Sequence, residues 1–245
     1  MALLLALGFS AANAATFSVS PLRIELDTAH RADMLTLRNT GAEPLRIQVR
    51  SMSWAMASGG EWQLTPSEDL IVTPQMLEIA PGQSGQLRIG TLLATGTREA
   101  SYRLLIDELP NVSDDKSAPS PEIRVLTQVS LPVFLEPARD SRLPGVSSAE
   151  LQHGDLVIGI GDEGARRLDP QRIKLTLTDR DGQVLEQHEQ MANYVLPGST
   201  AFLHMKLPAN VCQRATSVSV SWLDTSTSNS HPITTGAEAC EGAYP

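Results

Sequence analysis

Three arginines on strand-like segments have the most chemistry to offer. Arg23 stands between Leu22 and Ile24, Arg88 between Leu87 and Ile89, and Arg103 between Tyr102 and Leu104-Leu105-Ile106. A guanidinium is a planar fork of donors that can hold a carboxylate through two parallel hydrogen bonds, most strongly where water is excluded. On the polar face of a strand such a residue is commonly solvated or ion-paired. The functional reading is that one or more of the three holds an anion in a groove. Other chemistry is not visible. There is no G-x-S-x-G elbow, no Walker loop and no H-E-x-x-H. The histidines, His30, His153, His188, His204 and His231, are scattered. Asp107-Glu108 and Asp114-Asp115 are adjacent in sequence, so on a strand each pair points to opposite faces. A glycosidase pair would have to form by distant approach. No enzymatic activity and no cofactor are expected.

The element that would position this chemistry is a long strand. Residues 121–137 read PEIRVLTQVSLPVFLEP, and Ile123, Val125, Thr127, Val129, Leu131, Val133 and Leu135 make one apolar face. A strand over 122–136 is far longer than the usual length of about 5–6 residues. A long strand with a spare apolar row is what a protein needs in order to lend a strand to another protein. Before it come FSVSPLRIELD (17–27), MLTLRN (34–39), PLRIQVRSMSW (44–54), LIVTP (70–74), MLEIAPG (76–82), GQLRIGTLL (85–93) and SYRLLIDELP (101–110). Pro21, early in the first of them, suits an edge strand or one that switches sheets. Residues 111–121 are polar and rich in Pro and Ser, as in a mobile loop. About seven strands in roughly 120 residues, with closely spaced turns, predict an immunoglobulin-like β-sandwich.

The second half restarts strands at 155–161, 171–179, 183–189, 201–208 and 217–224. Hairpin turns fall at Arg180-Asp181-Gly182 and Leu196-Pro197-Gly198. The expected organisation is all-β: two immunoglobulin-like β-sandwich domains at 15–137 and 149–245, with a linker over 138–148.

Composition narrows the partners. The chain has 245 residues and a net charge of −9, which argues against a nucleic-acid binder. Its basic residues are 16 Arg and only 3 Lys, a bias that genome composition can explain. The start, MALLLALGFSAANAATF, has a short apolar run and an A-x-A site at Ala12-Asn13-Ala14, as in a cleaved signal peptide over 1–14. No Lys or Arg precedes the run, so the true start codon lies open. The run is too short to span a bilayer. The mature chain is expected to be exported and not membrane-embedded. Cys212 and Cys240 are the only cysteines. In an exported chain they read as one disulfide closing a loop of about 29 residues. A metal site would need histidines at short spacing, and only His231 is near, so no metal is expected.

Several segments together resemble the periplasmic chaperones of the chaperone–usher pilus pathway, the PapD-like family. They are SP-x-R at 20–23, LRNTGAEPLRIQVRSMSW (37–54), P-x-x-x-x-I-x-PG at 74–82 running on to Arg88-Ile89, YRLLIDELP (102–110), the 123–137 strand and NYVLPGS (193–199). YRLLIDELP and SLPVF look most similar to the archaic, spore-coat-U-type branch. The resemblance implies two immunoglobulin-like domains in a boomerang. Pilus subunits that lack a strand receive one from the first domain and are delivered to an outer-membrane usher. It implies a donor row of Ile123, Val125, Thr127 and Val129, with Leu131 next. It places Arg23 on the family's cleft arginine, which anchors the subunit's terminal carboxylate. The family's second anchor, a lysine, falls on Pro132 here, which leaves Arg103 or Arg88 to supply the charge. No small-molecule substrate is implied. The alternative is a secreted adhesive or structural β-sandwich that binds sugar or protein. Scarce aromatics, 4% of residues, speak against a sugar site.

Overall fold

The computed structural model describes residues 17–110, 125–139, 141, 144–223, 227–236 and 238–244. In the first domain the strands are β1 (Phe17–Ser20), β2 (Ile24–Leu26), β3 (Ala32–Asn39), β4 (Leu45–Met56), β5 (Trp62–Pro66), β6 (Leu70–Thr73), β7 (Met76–Ile79), β8 (Ser84–Thr91), β9 (Ala100–Leu109) and β10 (Gln128–Leu135). One sheet runs β1-β3-β8-β6 and the other β2-β10-β9-β4-β5, with β7 also on β4. Alternation puts Leu35 and Leu37, Leu45, Ile47 and Val49, Leu87 and Ile89, and Leu104 and Ile106 between the two sheets. The opposite faces of the same strands carry the polar residues, as a period of two requires, together with the buried Met52, Trp54 and Leu105. The first segment does switch sheets. β1 pairs with β3, and past Pro21 the chain crosses so that β2 runs parallel to β10.

The second domain holds β11 (Pro144–Gln152), β12 (Asp155–Asp162), β13 (Gln171–Thr178), β14 (Val184–Ala192), β15 (Thr200–Lys206), β16 (Ser217–Trp222), β17 (Thr227–Pro232) and β18 (Thr234–Thr235). Its sheets are β15-β12-β11-β18 and β14-β13-β16-β17. Leu156, Ile158, Ile160, Ile173, Leu175, Leu177, Val218, Val220 and Trp222 fill the space between them. Cys212, at the end of the short helix α1 (Ala209–Cys212), is bonded to Cys240. No helix among the described residues is long and apolar enough to cross a membrane.

The all-β, two-sandwich expectation holds, with differences in detail. The strand expected over 122–136 is Gln128–Leu135 among the described residues, with 125–127 outside any strand. Ile123 and the signal segment 1–14 lie outside the described residues, as does the loop 111–121. β11 begins at Pro144, inside the segment expected as linker. Its first residues, PGVSS, lack the apolar alternation that marks a strand, and its register slips between Val146 and Ser148. β5 gave no signal because all five of its residues are exposed.

Candidate functional site

The functional region begins at one edge of the second sheet. β10 pairs with β9 along its whole length, from Gln128 with Asp107 to Leu135 with Ala100. On its other side β2 reaches only Val133, Phe134 and Leu135. The stretch Gln128–Pro132 therefore has an open flank. The hydrogen bonds fix which residues face it. The Glu108 N–H donates to the Thr127 carbonyl at 3.0 Å, and the Glu136 N–H donates away from β9, to the Leu26 carbonyl at 2.8 Å. Alternation then turns the backbone groups of odd residues toward β9 and those of Gln128, Ser130 and Pro132 toward the open flank. Pro132 lacks an N–H only where no ladder partner stands, which is how a strand tolerates a proline.

The apolar row of this strand divides along its length. Val125 is 84% exposed and Leu126 47%. Thr127 and Val129 are half-buried, and Val129 packs at the rim of the core. Leu131, Val133 and Leu135 belong to the core of the first domain, with Leu131 only 2% exposed. Leu131 was expected at the end of the lent row and is instead committed to its own domain. Alternation alone cannot mark where a strand leaves its core.

Arg103 sits across β10 from Pro132 on the outward face of β9. It is 5% exposed. Its guanidinium carbon lies 3.9 Å from the Trp54 ring centre, 4.4 Å from that of Trp62 and 5.7 Å from that of Tyr194 in the second domain. Trp54 and Trp62 meet edge to face at 4.9 Å. The aromatic faces stabilise the cation by cation–π attraction. Nη1 donates to the Ser130 carbonyl at 3.4 Å, whereas Nε is buried without a hydrogen-bond partner. Such an orphan donor costs about 1–3 kcal/mol. Burial lowers the Arg103 pKa to about 10, and the residue remains a cation at neutral pH. Arg103 has no carboxylate partner among the described residues.

Arg23 approaches the same point from the other flank. It immediately precedes Ile24, which is the register partner of Val133. Unlike Arg103 it is already ion-paired, through Nη1 to Asp169 at 3.1 Å and through Nε to Glu25 at 3.1 Å. Arg88 lies elsewhere, exposed on the outer face of the other sheet beside Arg31, Ile71 and Leu92. The fold thus brings Arg23 and Arg103 to the two flanks of Pro132 and leaves Arg88 on the first sheet.

An ionic and aromatic junction ties this edge to the second domain. The Arg167 side chain is fully buried, bonded to Glu99, Glu25 and Asp169, with its guanidinium carbon 3.5 Å from the Phe134 ring centre. Arg166 bonds Glu136 and Glu25. Burial, opposed by the Arg167 charge, raises the Glu99 carboxyl from 4.5 to about 7. Tyr194 meets Trp54 edge to face at 5.4 Å and Phe134 at a tilt at 5.6 Å. The tip of the β4–β5 hairpin also touches the second domain, where a Cβ on Gly60 would meet the Phe202 ring at 3.0 Å. Trp62, Glu99 and Arg167 carry no motif in the sequence, and Trp54 and Tyr194 lie in segments of the family resemblance that give neither of them a role. The one available signal was Trp54 and Met52 continuing an apolar pattern on the polar side of 44–54.

The sequence profile of the pili and flagellar-assembly chaperones, PapD N-terminal domain, matches residues 16–140. Comparison with curated protein sequences gives no match. Among solved structures, the chaperone–tip subunit complex CsuC–CsuE, from the archaic chaperone-usher Csu pili of Acinetobacter baumannii, superposes with a TM-score of 0.61 at 18% identity, covering 91% of this chain and 100% of that one. The class 5 fimbriae chaperone CfaA gives 0.58 at 13% identity, over 89% and 99%. The SafA pilin–SafB chaperone complex of Salmonella enterica gives 0.53 at 15%, over 89% and 94%. At these identities the likeness is one of fold. With a profile match that spans the domain carrying the open strand edge, the chain belongs to the family of pili and flagellar-assembly chaperones.

Proposed function

We propose that the protein is a periplasmic chaperone that holds pilus subunits by lending them the free edge of β10, and that it passes them to an outer-membrane usher. The observation that carries this reading is the open flank of Gln128–Pro132, next to projecting Val125 and to Arg103, a cation with no carboxylate partner among the described residues. A subunit short of one strand exposes an apolar slot and two unpaired edges, both aggregation hazards. A lent strand answers both needs, the even residues offering backbone groups and the odd ones side chains. Each apolar side chain seated in the slot gains about 1.5–3 kcal/mol before the cost of ordering. The donor row is then Val125, Thr127 and Val129, extended by Ile123 at its start. Arg23 and Arg103 receive the subunit's terminal carboxylate, with Arg103 supplying the charge that Pro132 does not. The segment 1–14 directs export as a signal peptide and is then cleaved.

Co-expression with a candidate pilus subunit tests the reading. Val125→Asp places a charge in the apolar slot, and Arg103→Ala removes the cation beside Pro132. Each is expected to cut the yield of co-purified subunit at least tenfold while the chaperone remains folded. Normal yield from Val125→Asp would exclude donation through this row, and normal yield from Arg103→Ala would move the anchor elsewhere.

A further inference from the structure

Of the two arginines that flank Pro132, one has no carboxylate partner among the described residues and the other is held by the chain's own acids. Asp169 reaches Arg23 from the second domain. Its Oδ1 accepts from Arg23 Nη1 at 3.1 Å and from Arg167 Nε at 2.9 Å. Asp169 is held in place by its neighbour, because Leu168 exchanges two backbone hydrogen bonds with Val195, at 2.9 and 3.2 Å. Glu25 occupies the other edge of Arg23, through Nε. The charges and directions at Arg23 are thus those a bound carboxylate would need, and acids from both domains already meet them.

We propose that Asp169 is an internal competitor for the carboxylate anchor. It rests on Arg23 in the empty chaperone, and an incoming carboxylate displaces it. This inference depends on the reading above that Arg23 receives a subunit's terminal carboxylate. Displacement does not orphan Asp169, since Arg167 retains it. It does exchange one tie between the domains for a tie to the ligand, so capture loosens the junction and the return of Asp169 favours release. Both side chains are partly solvated, 42% exposed for Arg23 and 35% for Asp169. An ion pair so exposed is weak, so the competition should shift affinity by only about two- to fivefold. A modest competitor suits a site that must hand its ligand on.

The test uses the full chain and a fluorescent synthetic peptide of alternating Val and Thr, with two lysines at its N-terminus. The peptide is made with a free C-terminal carboxylate and as the amide, and binding is followed by anisotropy. Asp169→Asn is expected to bind the free acid about two- to fivefold more tightly and the amide unchanged, with Asp169→Glu behaving as wild type. Asp169→Ser serves the same purpose if the asparagine disturbs folding. Unchanged or weaker binding of the acid, or equal tightening for acid and amide, would overturn the competitor. Arg23→Ala separates the two readings. If it abolishes the preference for acid over amide while Asp169→Asn changes nothing, only the competitor fails. If Arg23→Ala keeps that preference, or the wild type never shows it, the anchor at Arg23 fails and the competitor with it.

Discussion

Glu99 shows at the scale of one residue how the junction responds to pH. Its carboxyl has no solvent exposure and faces Arg167, Arg166, Glu136 and the Ser101 hydroxyl. Removal from water raises its pKa from 4.5 to about 7, with Arg167 as the main opposing influence. An acid whose pKa is raised by folding favours the folded state most when protonated. Its contribution is therefore full below pH 4.5, falls as pH rises, and is lost above about pH 7. Asp107 behaves in the opposite sense. The hydrogen bond from Arg50 lowers its pKa, so its contribution is present above the ordinary 3.8 and lost in stronger acid. Thermal unfolding between pH 5 and pH 8 should show a midpoint that falls as Glu99 ionises. Glu99→Gln should flatten that slope, and an unchanged slope would mean that another group controls the junction. Arg103 and Arg167 are buried cations handled differently, one by aromatic faces and the other by carboxylates as well. Only the first retains an unpaired donor.

β10 is one strand with two roles. From Leu131 on it fills the core, with Leu131, Val133 and Leu135, and Val133–Leu135 is covered by both β9 and β2. Its N-terminal half has one open flank, and Val125 lies just beyond its start. Truncation should separate the halves. Leu131→Ala should cost about 2–5 kcal/mol of stability, as for other buried leucines. Val125→Ala should stay within about 0.5 kcal/mol, as for other surface positions. Urea unfolding of the two variants checks the contrast, and equal costs would place both side chains in one core. The thirteen-residue ladder at 123–135 was legible because a period of two survives in the sequence wherever a side is apolar. What that ladder packs against is not written in its period. β5 was illegible for the opposite reason, since an edge strand with every residue exposed has no buried face to set a pattern.

The whole molecule is two sandwiches held by a junction that mixes charge with edge-to-face and tilted aromatic contacts. The second domain completes features of the first: Tyr194 joins the aromatic group around Arg103, and Asp169 reaches Arg23. The disulfide belongs to this scale too, since Cys212–Cys240 ties α1 to the C-terminal turn of the second domain. Replacing both cysteines by serine should cost about 2–4 kcal/mol. The loss should appear in the unfolding of the second domain, with subunit capture by the first retained at low temperature. Loss of capture in the folded variant would show that the disulfide acts on the site itself. The fold class, the long apolar ladder, the cysteine pair and a set of three candidate arginines are legible in the chain alone. Each is a local pattern or a count, and local patterns persist in a linear chain. Folding adds that the chain switches sheets past Pro21, that Leu131 is core, that Arg88 is remote, and that among the described residues Arg23 has carboxylate partners while Arg103 has none. Those outcomes depend on which distant side chains meet: Tyr194 reaches Trp54, and Asp169 reaches Arg23, only when the two domains dock.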